Sequence, residues 1–542
     1  MTQGRLRLPG HPGLLIVPVL IPLVMGALIW IFGPYEGDPS YGPLMSALNL
    51  LHFQPPGYLD HPGTPVHILG ALVLALAWLV RLPFTGFAGP DTDILRNPNL
   101  FLVYINIVIG LLIAGANYFL GRRLWEATGS IAAALAGQAT IFMAYPYLLT
   151  LPLVTPDSLL IATTTLFMAL LVPLAFEKPG LDLDRRYAAI LGAVFGVTIA
   201  TKITCLPLGL LLFLLPDRKL GLVALRWTLV AFFLSILPGI QLLPGVISYY
   251  YAILTHTGVA GTGSQGPPSL SLLAANFQSI LAPGQGLLVA LALCCLALLA
   301  WPRLRAFSPS GFRKLFLLSA LIMVIQFILV TKNPGDRYLE PAYAVTALLY
   351  PALFLMARRW APSRAALLQT GIAALMVLVA VGAVNTTWTW LWNAHVANSD
   401  NEQLLARVAR SGCDMVPYYN APTKEYRLIF GNGTAAGRHS QALARLYPDF
   451  LSFHNGRLRF ETFEKVLTPA EAMTLLHKKR CIYLVGSGME RMQPFGIAAR
   501  MMEQVERTYH GRVYSTAVFR LKMTPETTWS DLGLPPAKDY EK

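Results

Sequence analysis

The chain alternates long apolar runs with short polar connections over most of its length, from Leu14 to Val384. Most runs are about 17–25 residues long, which is the length of an α-helix that crosses a bilayer. Lipid offers the backbone no hydrogen-bond partner, so segments of this kind must be helical. The pattern predicts about eleven transmembrane helices, at residues 13–33, 99–121, 128–147, 155–176, 187–204, 205–216, 221–245, 285–301, 314–331, 341–357 and 365–386.

Two apolar runs fit this scheme less simply. The run 205–216 is short for a full crossing, and the run 66–84 is long enough for one. A crossing at 66–84 would move every later basic loop to the other side, so we predict an interfacial or re-entrant helix there. After about Asn393 the chain becomes polar. We therefore predict a transmembrane domain over 1–392, with a long first outer loop at 34–98, and a small soluble α/β domain over 393–542.

Composition and charge placement support a polytopic α-helical membrane protein. The 542 residues are 55% hydrophobic and only 13% charged, whereas roughly a quarter of a soluble protein is charged. The net charge is +14, and most Lys and Arg residues of the first part of the chain lie in clusters on every second loop. This placement follows the positive-inside rule and predicts a cytoplasmic N-terminus and an outer C-terminus. The apolar run that follows Arg5 and Arg7 is predicted to be an uncleaved signal-anchor. The basic charge orients the chain and predicts no nucleic-acid partner.

The first outer loop carries the most informative polar residues. Asp38, Asp60 and His61 stand between segments that are apolar enough to be embedded in the bilayer. Acidic residues held at a membrane surface are costly unless they are solvated, paired or used in function. The structural alternative is a solvated loop in which the Asp side chains cap turns, and Asp-Pro is typical of turns.

Further polar residues fall on the same predicted outer face. The remaining candidates are Asp157, Lys202, His256, Lys332, Asp336, Arg337, Tyr338 and Glu340. Lys and Arg at headgroup depth suit a phosphate, although each alone could snorkel to the interface. Several cations beside carboxylates on one face favour a site for group transfer with a phosphate leaving group. In that chemistry a carboxylate, here Asp38, accepts the proton of the incoming hydroxyl.

Five short motifs, in order, resemble those of GT-C superfamily membrane glycosyltransferases. DPSY at 38–41 with GYLDHPGTP at 57–65 is similar to the first loop of enzymes related to protein O-mannosyltransferases and to the lipid A aminoarabinose transferase. GRRLWE at 121–126 resembles GRRLFG, and TPDSLL at 155–160 resembles TPDALL. TKITCLP at 201–207 resembles the TKGPA-type run, and DRYLEPAY at 336–343 resembles RYLLPxxP. The resemblance covers roughly residues 10–360.

The resemblance implies an enzyme that transfers a sugar, with inversion, from a polyprenyl-phosphate donor at the outer face of a bacterial inner membrane. It implies Asp38 as catalytic base and Asp60 and Asp157 as site carboxylates. Lys202, Arg337 and Tyr338 would contact the donor phosphate or lipid-linked sugar. The chain departs from the pattern at Pro39, where a Glu is usual, at Gly63 in place of a second Pro, and at Lys202-Ile-Thr in place of KGP.

The C-terminal region carries fewer signals. Cys413 and Cys481 are its only cysteines, and an oxidising outer compartment favours a disulfide between them. The stretch YRLIFGNGTAAGRHSQALARLYP predicts a strand, a Gly-rich turn and a helix, and HKKRCIYLVGSG predicts a second strand. The Gly-rich turn suits either an ordinary connection or a phosphate at a helix N-terminus. No spacing resembles a dedicated metal site, and no cofactor is predicted.

Two other functions remain open from the sequence. A transporter or flippase of a lipid-linked or anionic substrate would also have polytopic helices with intramembrane charge, although no internal repeat is found. A non-catalytic assembly protein would tolerate the loss of Asp38. The acceptor of a transferase could be an envelope lipid, a glycan or a protein.

Overall fold

The structure is a computed structural model. It describes residues 11–32, 40–57, 63–176, 183–257, 263–266, 269–304, 310–332, 335–418, 421–454, 459–487, 497–508 and 516–535. Within these residues the contacts divide the chain into two compact units. The first unit comprises Met1–Trp30, Phe53–Val73 and Leu102–Trp388, and the second comprises Ile31–His52, Leu74–Phe101 and Thr389–Lys542. The second unit therefore contains part of the predicted first outer loop together with the C-terminal region.

Most of the described chain is helical, as the apolar runs predict. In chain order the described helices α1 to α20 are Ile16–Phe32, Tyr41–Leu51, Thr64–Arg81, Pro90–Arg96, Pro98–Thr128, Ile131–Ala139, Tyr145–Thr150, Pro156–Phe176, Arg185–Thr201, Arg218–Ile236, Leu243–Thr255, Leu270–Leu299, Trp301–Leu304, Ser310–Lys332, Glu340–Ala344, Thr346–Trp360, Ala365–Arg410, Lys424–Thr434, Ser440–Leu446 and Pro469–Lys478. Short 3₁₀ helices include Thr140–Met143, Ile203–Leu214 and Asp336–Leu339.

Seven described helices are long and apolar enough to cross a membrane, or nine if each of two bent helix pairs is one span. Eight of these coincide with predicted spans. The other three predicted spans are helical but shorter, at Ile131–Met143, Arg185–Thr201 and Ile203–Leu214. A 3₁₀ helix rises about 2 Å per residue, so the 12 residues of Ile203–Leu214 reach further than an α-helix of equal length. The ninth candidate, Thr64–Phe84, is the run that we predicted to lie along the interface.

Close helix packing in the first unit places the ends of α8 and α9 near each other. Gly192 on α9 lies so close to α10 that an added Cβ would be 2.0 Å from the Ala224 carbonyl oxygen. The Thr228 hydroxyl of α10 donates to the Gly192 carbonyl at 3.0 Å. One turn further along α9, Phe195 stacks on Phe167 of α8 with ring centroids 4.9 Å apart. Helix α9 therefore packs against both α10 and α8, and Lys202, the residue that follows α9, belongs to the site.

The second unit is built on a four-stranded sheet. The described strands β1 to β6 are Asp414–Pro417, Ser452–His454, Arg459–Glu461, Ile482–Ser487, Met502–Arg507 and Thr516–Leu521. The sheet order is β1-β4-β6-β5, with β1 parallel to β4 and the other pairs antiparallel, while β2 and β3 form a separate hairpin-like pair. A disulfide between Cys413 and Cys481 joins the chain just before β1 and β4. The core beneath the sheet includes Phe453, Phe460 and Leu484.

The expectation of a strand at residues 426–430 is wrong, because these residues lie in helix α18. The Thr423 hydroxyl accepts a hydrogen bond from the Tyr426 amide at 3.2 Å and caps the helix N-terminus. Gly431 packs against α2, where an added Cβ would be 2.9 Å from Tyr41. Gly431 and Gly433 lie in the last turn of α18. The C-terminal end of a helix carries the negative end of its dipole, so these two glycines do not favour binding of a phosphate. The second predicted strand is present as β4.

Candidate functional site

The site forms where three helical segments of the first unit begin or end. Asp157 lies in the first turn of α8, directly after Pro156, a residue suited to that position. Lys202 follows the last residue of α9 in an extended conformation, with φ −157° and ψ 118°. Glu340 starts α15 after the 3₁₀ turn Asp336–Leu339. Helix ends place side chains from distant parts of the chain at one depth.

A fully buried lysine lies at the centre of the site. The Lys202 side chain has no exposed surface, and its ammonium forms an ion pair with Asp157 Oδ1. Glu340 Oε2 is 3.5 Å from the same Nζ atom, and both carboxylates are buried, with exposed fractions of 3% and 0%. A buried charge is tolerated only when it is paired. Lys202 is therefore held by two carboxylates rather than exposed to a ligand.

Lys202 in turn supports the segment that carries Arg337 and Tyr338. Its Nζ donates to the main-chain oxygen of Arg337 at 3.3 Å and lies 4.9 Å from the centroid of the Tyr338 ring. The Arg337 side chain is 35% exposed, and its Nη1 is 4.0 Å from Asp157 Oδ2. The Arg337 guanidinium also lies 5.9 Å from the Tyr338 ring centroid. Arg337 is thus the cation of this cluster with exposed surface.

Helix α7 holds the same segment from another side. The Thr150 hydroxyl donates to Glu340 Oε1 at 3.1 Å, and the Tyr147 hydroxyl donates to the Glu340 main-chain oxygen at 3.0 Å. The Tyr145 side chain is hydrogen-bonded to the carboxylate of Asp336. All three α7 side chains are buried. Together they fix both ends of the 336–340 segment.

An apolar groove of about 590 Å³ opens beside this cluster. The 3₁₀ helix Ile203–Leu214, the end of α11 and the second half of α14 form its walls. Most of its lining is aliphatic or aromatic, and the lining residues that carry polar groups are Thr204, Tyr250, Gln326, Lys332 and Tyr338. The Lys332 ammonium donates to the Leu254 main-chain oxygen, and a lysine keeps further N–H donors after one such bond. The groove therefore joins an apolar channel to cationic side chains.

The structure brings together five of the predicted site residues. Asp157, Lys202, Arg337, Tyr338 and Glu340 form the cluster, and Lys332 lines the groove together with Tyr338. His256 follows α11, where its Nδ1 pairs with the Thr255 hydroxyl at 2.9 Å.

Three predicted site residues, Asp38, Asp60 and His61, lie outside the described residues.

Sequence reasoning missed the groups that support the cluster. Tyr145 and Tyr147 belong to the predicted span 128–147, and Thr150 lies in the short connection before the predicted span 155–176. Gln326 is also inside an apolar helix, and its amide donates to the Tyr338 main-chain oxygen. Hydroxyl and amide groups in bilayer-length runs, close to a proline such as Pro146, are the signal that could have identified them.

No group of three or more His, Cys, Asp or Glu residues with metal-binding geometry occurs in the part of the chain that the structure describes. The site chemistry rests on carboxylates, cations and tyrosines.

Two solved structures of one protein are similar to this chain. The crystal structure of ArnT from Cupriavidus metallidurans bound to undecaprenyl phosphate is 13% identical, covers 95% of this chain and 99% of its own, and has a TM-score of 0.48. The apo form of the same protein is 12% identical, covers 93% and 97%, and has a TM-score of 0.47. No family model and no curated protein sequence matches the chain.

Proposed function

We propose that this membrane protein transfers a sugar from a polyprenyl-phosphate donor to an envelope lipid, glycan or protein at the outer face of the membrane. The single observation that carries the proposal is the apolar groove of about 590 Å³ with Lys332 and Tyr338 in its lining and Arg337 next to it. A ligand that fills such a groove has a long apolar part and an anionic end. A polyprenyl phosphate has both.

Arg337 and Lys332 carry the positive charge that would hold a donor phosphate. Arg337 keeps 35% of its side chain exposed, and its Nη1 lies 4.0 Å from Asp157 Oδ2. A guanidinium offers a planar fork to phosphate oxygens, and an ammonium such as that of Lys332 adds a point charge. We assign the phosphate to Arg337, Lys332 and the Tyr338 hydroxyl. Lys202 is fully buried between carboxylates, and it supports the segment that carries Arg337 and Tyr338 rather than contacting the phosphate.

The proposed reaction is an inverting displacement at the anomeric carbon. The acceptor hydroxyl oxygen attacks that carbon, the bond from the carbon to the phosphate oxygen breaks, and its electron pair stays on the lipid phosphate. Asp38 takes the proton of the acceptor hydroxyl, with Asp60 and His61 from the same loop near the sugar. Arg337 and Lys332 stabilise the charge that develops on the phosphate.

The test is an Asp38→Asn variant, purified from its host membrane and examined by mass spectrometry for bound lipid. Asparagine keeps the shape of the side chain but cannot accept a proton, so turnover should fall by about 10²–10⁴-fold. A lipid-phosphate sugar should remain bound, because the cations that we assign to the phosphate are intact.

Two results would contradict the proposal. Normal turnover by Asp38→Asn would exclude Asp38 as the base. A bound lipid phosphate with no detectable transfer by the wild-type protein to any envelope fraction would favour a flippase instead.

A further inference from the structure

Helix α2 of the second unit is short and almost completely buried. It has 11 residues, and every residue from Tyr41 to Asn49 is buried. An isolated helix of this length is only marginally stable in water, so its position depends on what packs around it. Helix α18 of the C-terminal region packs directly against its start. A Cβ added at Gly431 would be 2.9 Å from both the Cβ and the main-chain oxygen of Tyr41.

The chain that follows α18 holds the other end of α2. The Asn49 side-chain amide donates to the Ala435 main-chain oxygen at 3.1 Å, and this hydrogen bond is buried. At the first end, the Tyr41 hydroxyl also donates to Asn99 Oδ1 at 2.8 Å. Tyr41 and Asn49 are eight residues apart, which is about 12 Å along an α-helix. Contacts at this separation fix both the place and the direction of α2.

The start of α2 is close in sequence to the residue that we assign as the base. Tyr41 follows Asp38 by three residues. A displacement of the helix start is passed along so short a connection, because planar peptide bonds leave the chain only two soft dihedral angles per residue. A shift of about 1 Å in a catalytic group can lower a rate on the order of 100-fold.

We propose that the contacts of Gly431 and Ala435 with α2 position Asp38 for proton transfer. We call these contacts the α2 clamp. The inference rests on the proposed function and gives the C-terminal region a part in the reaction. Gly431 and Asn49 are positioning residues, because they act on the reaction through α2. The clamp belongs to the second unit, whereas we assign the lipid phosphate to cations of the first, so the clamp should affect turnover and not donor binding.

The test compares two glycines of α18 in the full-length protein. Gly431→Ala and Gly433→Ala add the same methyl group in the last turn of one helix, but a Cβ at Gly433 has no atom within 4 Å. Turnover is followed in host membranes by mass spectrometry, as conversion of the lipid-phosphate sugar to the bare lipid phosphate. Gly431→Ala should lower it on the order of 10–100-fold and bind farnesyl phosphate as the wild type does. Gly433→Ala should match the wild type in both measurements.

The decisive measurement combines Gly431→Ala with Asp38→Asn. If the clamp acts through the base, the double variant should turn over as slowly as Asp38→Asn alone, because the position of a base has no effect once the base is absent. A general loss of folded protein would instead multiply the two effects. Asn49→Leu keeps most of the side-chain volume but cannot donate to Ala435. It should show the same dependence on Asp38, so the test does not rely on one variant.

Wild-type turnover in both Gly431→Ala and Asn49→Leu would overturn the inference and leave the proposed function intact. Multiplied losses in both combinations with Asp38→Asn would have the same consequence, since they would show that the clamp acts on folding alone. Normal turnover in Asp38→Asn itself would overturn the proposed function, and the inference with it.

Discussion

Arg337 and Lys202 are both cations of the same cluster, yet their substitution should have different consequences. Arg337 has 35% of its side chain exposed, and its pairing with Asp157 is at 4.0 Å. Arg337→Ala should delete the charge-assisted hydrogen bonds that we propose between Arg337 and the donor phosphate, each worth about 1.5–3 kcal/mol. Because the guanidinium is partly solvated, we take the lower part of that range. Donor affinity should then fall by about 10–30-fold, with little change in melting temperature.

Lys202→Met should instead destabilise the protein. The Lys202 ammonium is fully buried, and its removal leaves two buried carboxyl groups, Asp157 and Glu340, without their cation. Breaking a buried pair by removing one partner costs about 3–5 kcal/mol, a large part of the 5–15 kcal/mol typical of a folded domain. We expect a clear drop in thermal stability in detergent, with poor recovery of folded protein.

The assay pairs a thermal unfolding curve with a binding isotherm for a polyprenyl phosphate on each variant. Arg122→Ala is the matched control, because Arg122 pairs with Glu126 at 2.9 Å on the surface of α5, and it should change neither quantity. Wild-type affinity in Arg337→Ala, combined with a stability loss like that of Lys202→Met, would show Arg337 to be a structural member of the cluster. The assignment of the phosphate would then be refuted.

Two further predictions concern stability. Burial lowers the pKa of His439, so the neutral imidazole stabilises the second unit; this contribution is complete above pH 6.5 and decreases as the pH falls below that value. Unfolding measured as a function of pH should show this loss of stability. If the same loss persists in His439→Gln, another group causes it. Gly192→Ala should destabilise the protein by about 1–3 kcal/mol, because the added Cβ meets the Ala224 carbonyl of α10. The control is Gly221→Ala, where the added Cβ has open space. Equal melting temperatures for the two variants would contradict the packing argument.

The helices were predictable from the sequence because bilayer-length apolar runs allow the backbone no other paired state. The strand predicted at 426–430 was wrong because the preference of aromatic and β-branched residues for strands is weak, and tertiary contacts override it. Thr423 as N-cap and the fit of Gly431 against Tyr41 decide for a helix. The contact of Gly431 with Tyr41 joins residues far apart in the chain, and a local sequence pattern carries no information about it.

The candidate site was predictable in its members but not in their roles. Charged residues within or beside apolar segments are rare because burying a charge is costly, so they are candidates for function. On this ground the sequence singled out Asp157, Lys202, Arg337 and Glu340. Their pairing depends on contacts across 45 residues of chain for Lys202 and Asp157 and 190 for Thr150 and Glu340. Periodicity carries no information at that separation. Thus the exposed cation and the buried one could not be told apart before the structure.

The position of Glu340 suggests why this chain can bury a lysine so completely. The run RYLLP that DRYLEP resembles has a leucine where this chain has Glu340. With a leucine there, Lys202 would have Asp157 as its carboxylate partner, and Asp157 would be shared with Arg337. Glu340 adds a second carboxyl at 3.5 Å, itself held by Thr150. The buried ammonium of Lys202 is thus paired by two carboxyl groups, which offset the cost of burying its charge while Asp157 also lies 4.0 Å from Arg337.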